Sequence, residues 1–482
     1  MTMAARMERF GGIADKLDKF FLAFLFINPL LDIVNGILIF YLQPDLAKQD
    51  MPITFSLIVR MCFLLVMGAY LLLRWDWKGL WTVLPAAGAA VLSILSVYFF
   101  ADRYNTFLDF QYAAKFLFNL LAMAVYSQAL LRRGTVTRQE AMRRLEKVFV
   151  FSAAAFGLTI LASFLFGVGL FTYENRFGLT GTRAYFFSGN EITAGMIACL
   201  PFCFKSFLSI PFSEYRRPKN WGYLLTPGIL ASALILIGTK TSFMGLALVI
   251  AAFVLFGVIE LVRKNPGFLL RVGAVLAVIA AFFGLLQLVS GAKLLDNVKE
   301  SVSIIEDQKD RFGNETQEYI IWYNETHDIT YEDAVAKTNK WVHILLSGRE
   351  FFLMDTAEIW AQSPPPVWFA GIGRSAVRHT IEMDLCEVFF YYGIIGFFLM
   401  LWPYSRRLFR VLGRFFKKWD LAGFTAVASI AIVTVYMIMA GHVLFTVTAG
   451  FYFALTIVYA SLNYGVLLPE FAKDEEAAAI DC

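Results

Sequence analysis

The sequence predicts an all-α polytopic membrane protein with about 12 transmembrane helices and one long extracytoplasmic loop. Hydrophobic residues make up 59% of the 482 residues and charged residues only 17%, and the mean hydropathy is +0.62. The apolar residues form runs of about 20, the length of helix that crosses a bilayer core, and the charges lie in narrow bands between these runs. We therefore expect residues 1–482 to form a single integral membrane domain.

Twelve apolar runs are the candidate spans. They lie at residues 20–42, 53–73, 80–101, 110–131, 148–171, 188–209, 222–239, 241–261, 267–290, 384–404, 421–442 and 444–467. The first run contains Pro29, Asp32 and Asn35 and has no small-residue cleavage motif. We therefore expect it to be a retained helix and not a removed signal peptide.

Basic residues predict the orientation of these spans. If the N-terminus is cytoplasmic, the short segments assigned to the inside hold most of the 42 lysines and arginines. The short outside segments hold only Lys48, Arg103, Arg176, Arg183 and Lys240. Because cytoplasmic loops are enriched in positive charge, both termini are predicted to be cytoplasmic. The long segment 291–383, between spans nine and ten, then lies outside.

This outer segment ends in a concentration of charge. Its middle contains amphipathic helical stretches with aromatic residues on one side, typical of helices at a membrane surface. Its last part, "GRSAVRHTIEMD" at 373–384, carries Arg374, Arg378, His379, Glu382 and Asp384 immediately before a predicted span. Charges beside hydrocarbon are costly unless they are paired or hydrated, so this stretch is a candidate functional site.

Three further outer segments bring polar residues to the same face. "GLTGTRAYFFSGNEITAG" at 178–195 carries Arg183, Asn190 and Glu191, "GTKTSFMG" at 238–245 carries Lys240, and "LSGRE" at 346–350 carries Arg349. Cations collected with Gly, Ser and Thr from several segments suit an anionic ligand such as a pyrophosphate at headgroup level. Each cation alone is also explained by snorkelling or by a lipid-headgroup contact.

His379 is the first candidate for a general base. An imidazole with an unperturbed pKa of about 6.5 can take a proton from an attacking hydroxyl, and two arginines and two carboxylates lie close to His379 in the sequence. Glu382 or Asp384 is the reserve candidate, and Glu191 is the third. Because Glu382 and Asp384 are not part of an Asp-rich motif, we expect a metal-independent site without a cofactor.

The order of these motifs resembles the O-antigen ligase and O-antigen polymerase superfamily of bacterial membrane glycosyltransferases. Arg183 precedes "FFSGNEITAG" at the entry to a middle span, "GTKTSFMGLAL" supplies a turn with a cation, and "SGRE" and "GIGRSAVRHTIEMD" end a long late loop before "YYGIIGFFLML". The resemblance covers roughly residues 170–400. The chain departs from the ligase branch at Lys240, where Arg is usual, and in "TIEMD" after His379, where Asn or a similar polar residue is usual.

The resemblance implies a C-type membrane glycosyltransferase whose donor is a glycan on undecaprenyl pyrophosphate. The hydroxyl of an acceptor sugar would attack the anomeric carbon with inversion, and His379 or Glu382 would take its proton. The residues expected to contact the substrates, chiefly the leaving pyrophosphate, are Arg183, Asn190, Glu191, Lys240, Arg349, Arg374, Arg378 and Asp384. Both glycan ligation and glycan polymerisation fit this chemistry.

The implied location is the bacterial plasma (inner) membrane, with the active site on the extracytoplasmic face. The implied partners are the lipid-linked glycan donor, a glycan or glycolipid acceptor and the bilayer, without nucleic acid. A transporter or flippase of lipid-linked glycans is the alternative, since Arg60 and Lys115 lie inside predicted spans. Either residue could instead line a lipid cavity or pair with an acid such as Asp32. A non-catalytic assembly or sensor protein would need the cations but no base.

Overall fold

The protein forms a bundle of α-helices. A computed structural model describes residues 3–42, 53–74, 77–101, 104–131, 136–168, 170–171, 183–184, 189–289, 321, 323–325, 333, 346, 349–441 and 443–466. Over these residues the elements are α1 Met3–Leu42, α2 Phe55–Leu73, α3 Trp77–Phe100, α4 Thr106–Ala129, α5 Arg138–Phe166, β1 Leu170–Phe171, β2 Arg183–Ala184, α6 Gly189–Leu208, α7 Trp221–Ile237, α8 Lys240–Val262, α9 Pro266–Val289, α10 Arg349–Gln362, α11 Pro365–Ala370, α12 Asp384–Phe415, α13 Leu421–Met439 and α14 Ala449–Asn463. The strands β1 and β2 form one short antiparallel pair.

The helices confirm an α-helical, multi-pass membrane protein. Each of the twelve predicted spans falls on one of the helices α1–α9 and α12–α14. Within the described part of the chain, 9 helices are long and apolar enough to cross a bilayer, and Ile192–Leu208 and Ala449–Asn463 are shorter apolar helices. The span count of twelve therefore stays a prediction. Most of the predicted outer loop 291–383 lies outside the described residues, apart from its last part, which begins at α10.

Contacts between helices show which residues lie at each of the two ends of the bundle. At one end, the amide of Ser375 donates to Asp109 Oδ1 (2.9 Å) at the start of α4. At the other end, Lys205 pairs with Glu146 (2.7 Å), and the hydroxyl of Tyr459 donates to the same carboxylate. We call the first the loop end, because residues 371–383 lie there, and the second the basic end. Ser375 of the predicted outer segment and Glu146 of a predicted inner segment thus lie at opposite ends, as the alternation of spans requires.

A buried non-helical segment, residues 443–448, joins α13 to α14 and corrects the predicted spans 421–442 and 444–467. The two helices instead end at Met439 and begin at Ala449. Asn119 Nδ2 donates to the carbonyl oxygens of Leu444 (2.9 Å) and Thr446 (3.0 Å). These bonds matter because backbone groups inside a membrane protein must find protein partners in place of water.

Asp384 supports the same segment. Its side chain is fully buried, and its Oδ2 accepts from the backbone N–H groups of Val443 (2.9 Å) and Leu444 (3.2 Å). A carboxylate that accepts two amide hydrogen bonds holds the backbone firmly. Asp384, a predicted substrate contact, therefore has a structural role in the fold.

The buried Arg60 joins α1 to α2. The residue is 1% exposed, and its guanidinium donates to both carboxylate oxygens of Asp32 (2.7 and 2.8 Å), to Asn28 Oδ1 (3.0 Å) and to Ser56 Oγ (2.6 Å). Asp32 Oδ2 also accepts from the hydroxyl of Thr448 (3.0 Å). The structure thus shows the pairing of Arg60 with Asp32, one of the alternatives open from the sequence, and this network links α1, α2 and the segment 443–448.

Two glycines allow residues 371–373 to lie directly against α12. The amide of Ile372 donates to the carbonyl of Phe390, and the amide of Gly373 to that of Tyr391 (both 3.0 Å). Helix α12 is broken at Gly393, where φ is 67° and ψ is −175°, and Gly371 has φ 95°. A Cβ atom on either glycine would overlap the backbone of the other strand of chain. The backbones of the motifs "GIG" and "YYGIIG" thus pack directly against each other, which the two glycines permit.

We predict that Arg60→Met destabilises the protein, because it leaves Asp32 charged and buried. Breaking a buried pair from one side costs about 3–5 kcal/mol. The measurement is the thermal unfolding midpoint of the purified protein in nanodiscs. Arg216→Met, at an exposed position, is the control and should leave the midpoint unchanged. Equal midpoints for the two variants would contradict a role of the Arg60 network in stability.

Gly393→Ala should also lower the unfolding midpoint and the yield of folded protein. The strained backbone conformation costs a residue with a side chain about 1–3 kcal/mol, and the added methyl group overlaps the backbone of Phe369 and Gly371. Gly413→Ala is the matched control on α12, because a Cβ atom there meets nothing within 4 Å. That substitution should be neutral or slightly stabilising. The same loss in both variants would refute the close approach.

Candidate functional site

The candidate site is built on the non-helical segment 371–383 at the loop end. Its beginning is fixed by the backbone contacts with α12 described above. Ser375 holds it to Asp109 at the first turn of α4, since both its amide and its hydroxyl donate to that carboxylate. Ile381 and Met383 are buried in the core. The segment therefore has a defined conformation even though it contains no regular secondary structure.

Arg374 is a buried cation beneath this segment. Its Nη1 donates to the carbonyl of Val377 (2.9 Å), and its guanidinium lies 5.9 Å from the centroid of the Tyr112 ring. Burial works against its charge, but Tyr391, Tyr112 and Glu387 outweigh that effect and raise the pKa of Arg374 above its ordinary value. Arg374 thus carries a permanent positive charge on the buried side of the segment.

Glu382 connects the segment to α10. Its Oε2 accepts from Arg349 Nη2 at 2.6 Å, and its own amide donates to Glu387 Oε1 at 2.9 Å. Its backbone has φ 56°, an unusual conformation for a residue with a side chain. Two predicted site residues, Arg349 and Glu382, therefore form an ion pair. The sequence analysis did not identify Glu387 as a site residue. Glu387 lies within an apolar run, and nothing in the residues around it indicates its contact with the amide of Glu382.

His379 and Arg378 lie together in a cavity of about 580 Å³. The cavity is enclosed by the end of α3, by α10 and by the segment 371–383. Its lining residues are Ser96, Val97, Phe100, Ala101, Phe352, Asp355, Thr356, Ile359, Gln362, Ser363, Pro364, Val367, Gly371, Ile372, Ala376, Val377, Arg378 and His379. The imidazole of His379 stacks on the Phe352 ring with 5.3 Å between centroids and 17° between planes. This stacking orients the imidazole at the cavity wall.

The α10 wall of the cavity contains a residue that sequence reasoning missed. Phe352, Asp355, Thr356 and Ile359 all line the cavity, and their spacing of three, four and seven residues puts them on one face of the helix. Asp355 is the only carboxylate among the described lining residues. The helical spacing was visible in the sequence, but only the tertiary structure shows that this face meets His379.

Lys240, Asn190 and Glu191 lie at the starts of two neighbouring helices. Thr239 caps α8, its hydroxyl accepting from the amide of Ser242 (3.0 Å), and Lys240 is the first residue of that helix. A Cβ atom at Gly245 on α8 would overlap Ile197 on α6, so the first turns of the two helices are at similar heights. Since Lys205, near the end of α6, is at the basic end, these first turns point toward the loop end.

For Arg183 the structure describes the position of the backbone. It lies in β2, opposite Phe171 of β1, and its side chain is outside the described residues. The described contacts thus join Arg349 with Glu382, and Arg378 and His379 line the same cavity. The meeting of Arg183, Asn190, Glu191 and Lys240 with these groups stays a prediction. Among the described residues no group of three His, Cys, Asp or Glu side chains is arranged to hold a metal ion.

This arrangement can carry out acid–base chemistry beside an anionic leaving group. An oriented imidazole can accept a proton from a hydroxyl in the cavity, and the exposed Arg378 next to it can stabilise negative charge. Arg349 donates to Glu382, and Arg374 donates to the carbonyl of Val377. The geometry therefore separates cations that face a cavity from cations that hold the segment in place.

Comparison with known proteins identifies the family. A family model described as "O-antigen ligase like membrane protein" matches residues 14–463. No significant match is found among curated proteins or solved structures. The family match runs from α1 to the end of α14, so it includes the whole segment 371–383 and every element around the cavity. With a match over nearly the whole chain, the protein belongs to the O-antigen ligase like membrane proteins.

Proposed function

We propose that this protein is a membrane glycosyltransferase that moves a glycan from undecaprenyl pyrophosphate to the hydroxyl of an acceptor sugar. Membership of the O-antigen ligase like family indicates glycosyl transfer in polysaccharide assembly. The observation that carries the proposal for the site is the cavity in which His379 and Arg378 lie side by side. A cavity at one end of a membrane bundle suits a substrate that has a lipid anchor and a polar head.

In the proposed reaction, the acceptor hydroxyl attacks the anomeric carbon from the side opposite to the pyrophosphate. The new carbon–oxygen bond forms as the bond from the anomeric carbon to the phosphate oxygen breaks, and the electron pair leaves with the lipid pyrophosphate. His379 takes the proton of the hydroxyl. The configuration is inverted, and the proposed reaction needs neither nucleotide nor metal.

The cations of the loop end would stabilise the charge on the leaving group. Arg378 lines the cavity, and Arg183 and Lys240 are proposed to complete its pyrophosphate site. Arg349 reaches this region through its ion pair with Glu382. Arg374, with its carbonyl and ring contacts, supplies a fixed positive potential from beneath.

The contacts favour His379 over Glu382 as the base. An acceptor hydroxyl must reach the base from the cavity, and the His379 ring lines that cavity. Glu382 is bound by Arg349 at 2.6 Å, which makes it better suited to fixing the segment than to taking a proton. Glu191, on the first turn of α6, is the remaining candidate.

We place the site on the extracytoplasmic face of the bacterial plasma membrane, with both termini in the cytoplasm. The support is the charge distribution: the basic end contains Arg263, Lys264, Arg406, Arg410 and Lys417, and basic residues are enriched on the cytoplasmic side. The alternative of a flippase gains no support from Arg60, because that residue is engaged in the network with Asp32.

We expect His379→Gln to abolish most of the transferase activity. Removing a general base lowers kcat by about 10²–10⁴-fold, whereas Glu382→Gln, which weakens a positioning contact, should lower it by less than His379→Gln. The assay incubates the purified protein in nanodiscs with a polyprenyl-pyrophosphate glycan and candidate acceptors, without nucleotide or metal, and detects the longer glycan by mass.

Two outcomes of this assay would contradict the proposal. Wild-type protein that moves the lipid across the bilayer without forming a glycosidic bond would indicate a flippase. A larger loss in Glu382→Gln than in His379→Gln would assign the base to Glu382. The unfolding midpoint of each variant shows whether a loss of activity reflects a loss of folded protein.

Arg378→Gln should weaken binding of the lipid pyrophosphate. A charge-assisted hydrogen bond contributes about 1.5–3 kcal/mol, so the Kd for undecaprenyl pyrophosphate should rise about tenfold or more. Arg410→Gln is the matched control, since Arg410 is an exposed cation at the basic end, and its Kd should equal that of the wild type. An unchanged Kd in Arg378→Gln would exclude Arg378 from the pyrophosphate site.

A further inference from the structure

We infer that Asp355 binds the acceptor sugar, and that the α10 wall of the cavity is the acceptor subsite. The inference rests on the proposed function, because it assigns the second substrate of the same reaction. The carboxylate of Asp355 would accept a hydrogen bond from an acceptor hydroxyl and so orient the neighbouring hydroxyl toward His379. Asp355 lines the cavity from α10, whereas His379 and Arg378 line it from the segment 371–383.

The first argument is the distribution of charge around the cavity. Among its described lining residues, the basic side chains are Arg378 and His379, and the only acidic one is Asp355. A pyrophosphate is attracted to the wall formed by segment 371–383, which carries Arg378 and His379, and is repelled by the carboxylate on the α10 wall. The two walls therefore favour different parts of the reacting complex, and the α10 wall favours a group without negative charge.

The second argument is the kind of polar group that lines the rest of the cavity. Besides Asp355, the lining contains Gln362, Ser363 and, on α3, Ser96. Gln362 and Ser363 donate to groups one turn earlier in the chain, whereas the hydroxyl oxygen of Ser96 is buried and has no hydrogen-bond partner among the described residues. Uncharged polar groups that share a cavity with one described carboxylate match a sugar, which presents several hydroxyls that both donate and accept.

The third argument is the position of Asp355 relative to the residue that contacts the proposed base. Asp355 follows Phe352 by three residues, which is about one turn of α10, and the Phe352 ring stacks on His379. Asp355 and His379 both line the same cavity. An acceptor held at Asp355 by one hydroxyl can thus present an adjacent hydroxyl to the imidazole, an arrangement that lowers the entropic barrier to attack.

The test is a two-substrate kinetic analysis of Asp355→Asn in nanodiscs. Initial rates are measured with a polyprenyl-pyrophosphate oligosaccharide as donor and the acceptor glycolipid of the transferase assay, each varied at a saturating concentration of the other. The Kd for undecaprenyl pyrophosphate alone is measured in parallel. Glu358→Gln is the matched control, because Glu358 is an exposed acid on α10 that does not itself line the cavity, and glutamine keeps the side-chain oxygen that accepts from Gln362.

We expect Asp355→Asn to raise the KM for the acceptor about tenfold or more, as the loss of a hydrogen bond to a charged group predicts. The KM for the donor and the Kd for undecaprenyl pyrophosphate should stay within about twofold of the wild-type values. Asp355→Glu keeps the charge and should recover part of the loss. Glu358→Gln should not change any of these constants.

Other outcomes would overturn the inference in distinguishable ways. An unchanged acceptor KM in an active Asp355→Asn variant would remove Asp355 from the acceptor subsite and leave the proposed function intact. A change confined to the donor KM or to the Kd for undecaprenyl pyrophosphate would assign Asp355 to the donor side. A wild-type protein that forms no glycosidic bond with any acceptor would refute the proposed function and this inference together. If Asp355→Asn does not fold, the acceptor KM of Asp355→Glu decides, and a wild-type value there overturns the inference.

Discussion

The structure depends on one constraint: backbone and charged groups within a membrane bundle need partners inside the protein. Two described segments at the loop end depart from helix, residues 371–383 and residues 443–448. Asn119 and Asp384 satisfy the second, and the carbonyls of Phe390 and Tyr391, just before the break in α12 at Gly393, accept from the first. Each departure is thus held by groups from other helices, and neither is a flexible connection.

This constraint also explains how a cavity can exist in such a chain. Non-helical backbone is tolerated at membrane depth where it lies within protein or lines a polar space. The segment 371–383 satisfies both conditions, with Arg374 and Ile381 buried on one side and Arg378 and His379 at the cavity on the other. The resulting site is preorganised, which is what electrostatic stabilisation of the proposed leaving group requires.

The same contacts divide the charges of one short stretch into separate roles. In the sequence, Arg374, Arg378 and Asp384 are equivalent members of a cluster. In the structure, Asp384 holds backbone amides and Arg374 is covered by an aromatic ring, while Arg378 remains exposed. A sequence-based interpretation identifies such a cluster as a candidate but cannot assign these roles, because they depend on partners such as Val443 and Tyr112 that are distant in the chain.

Hydropathy and charge by themselves determined that this is a helical membrane protein, because the bilayer imposes span length and charge placement on any sequence. Motif order likewise indicated the family, which the match over residues 14–463 confirms. The tertiary structure alone decided where helices break, that Arg349 pairs with Glu382, and that Asp355 and His379 share a cavity. These features arise from contacts between distant segments, and the local periodicity of a sequence contains no information about which helical faces meet.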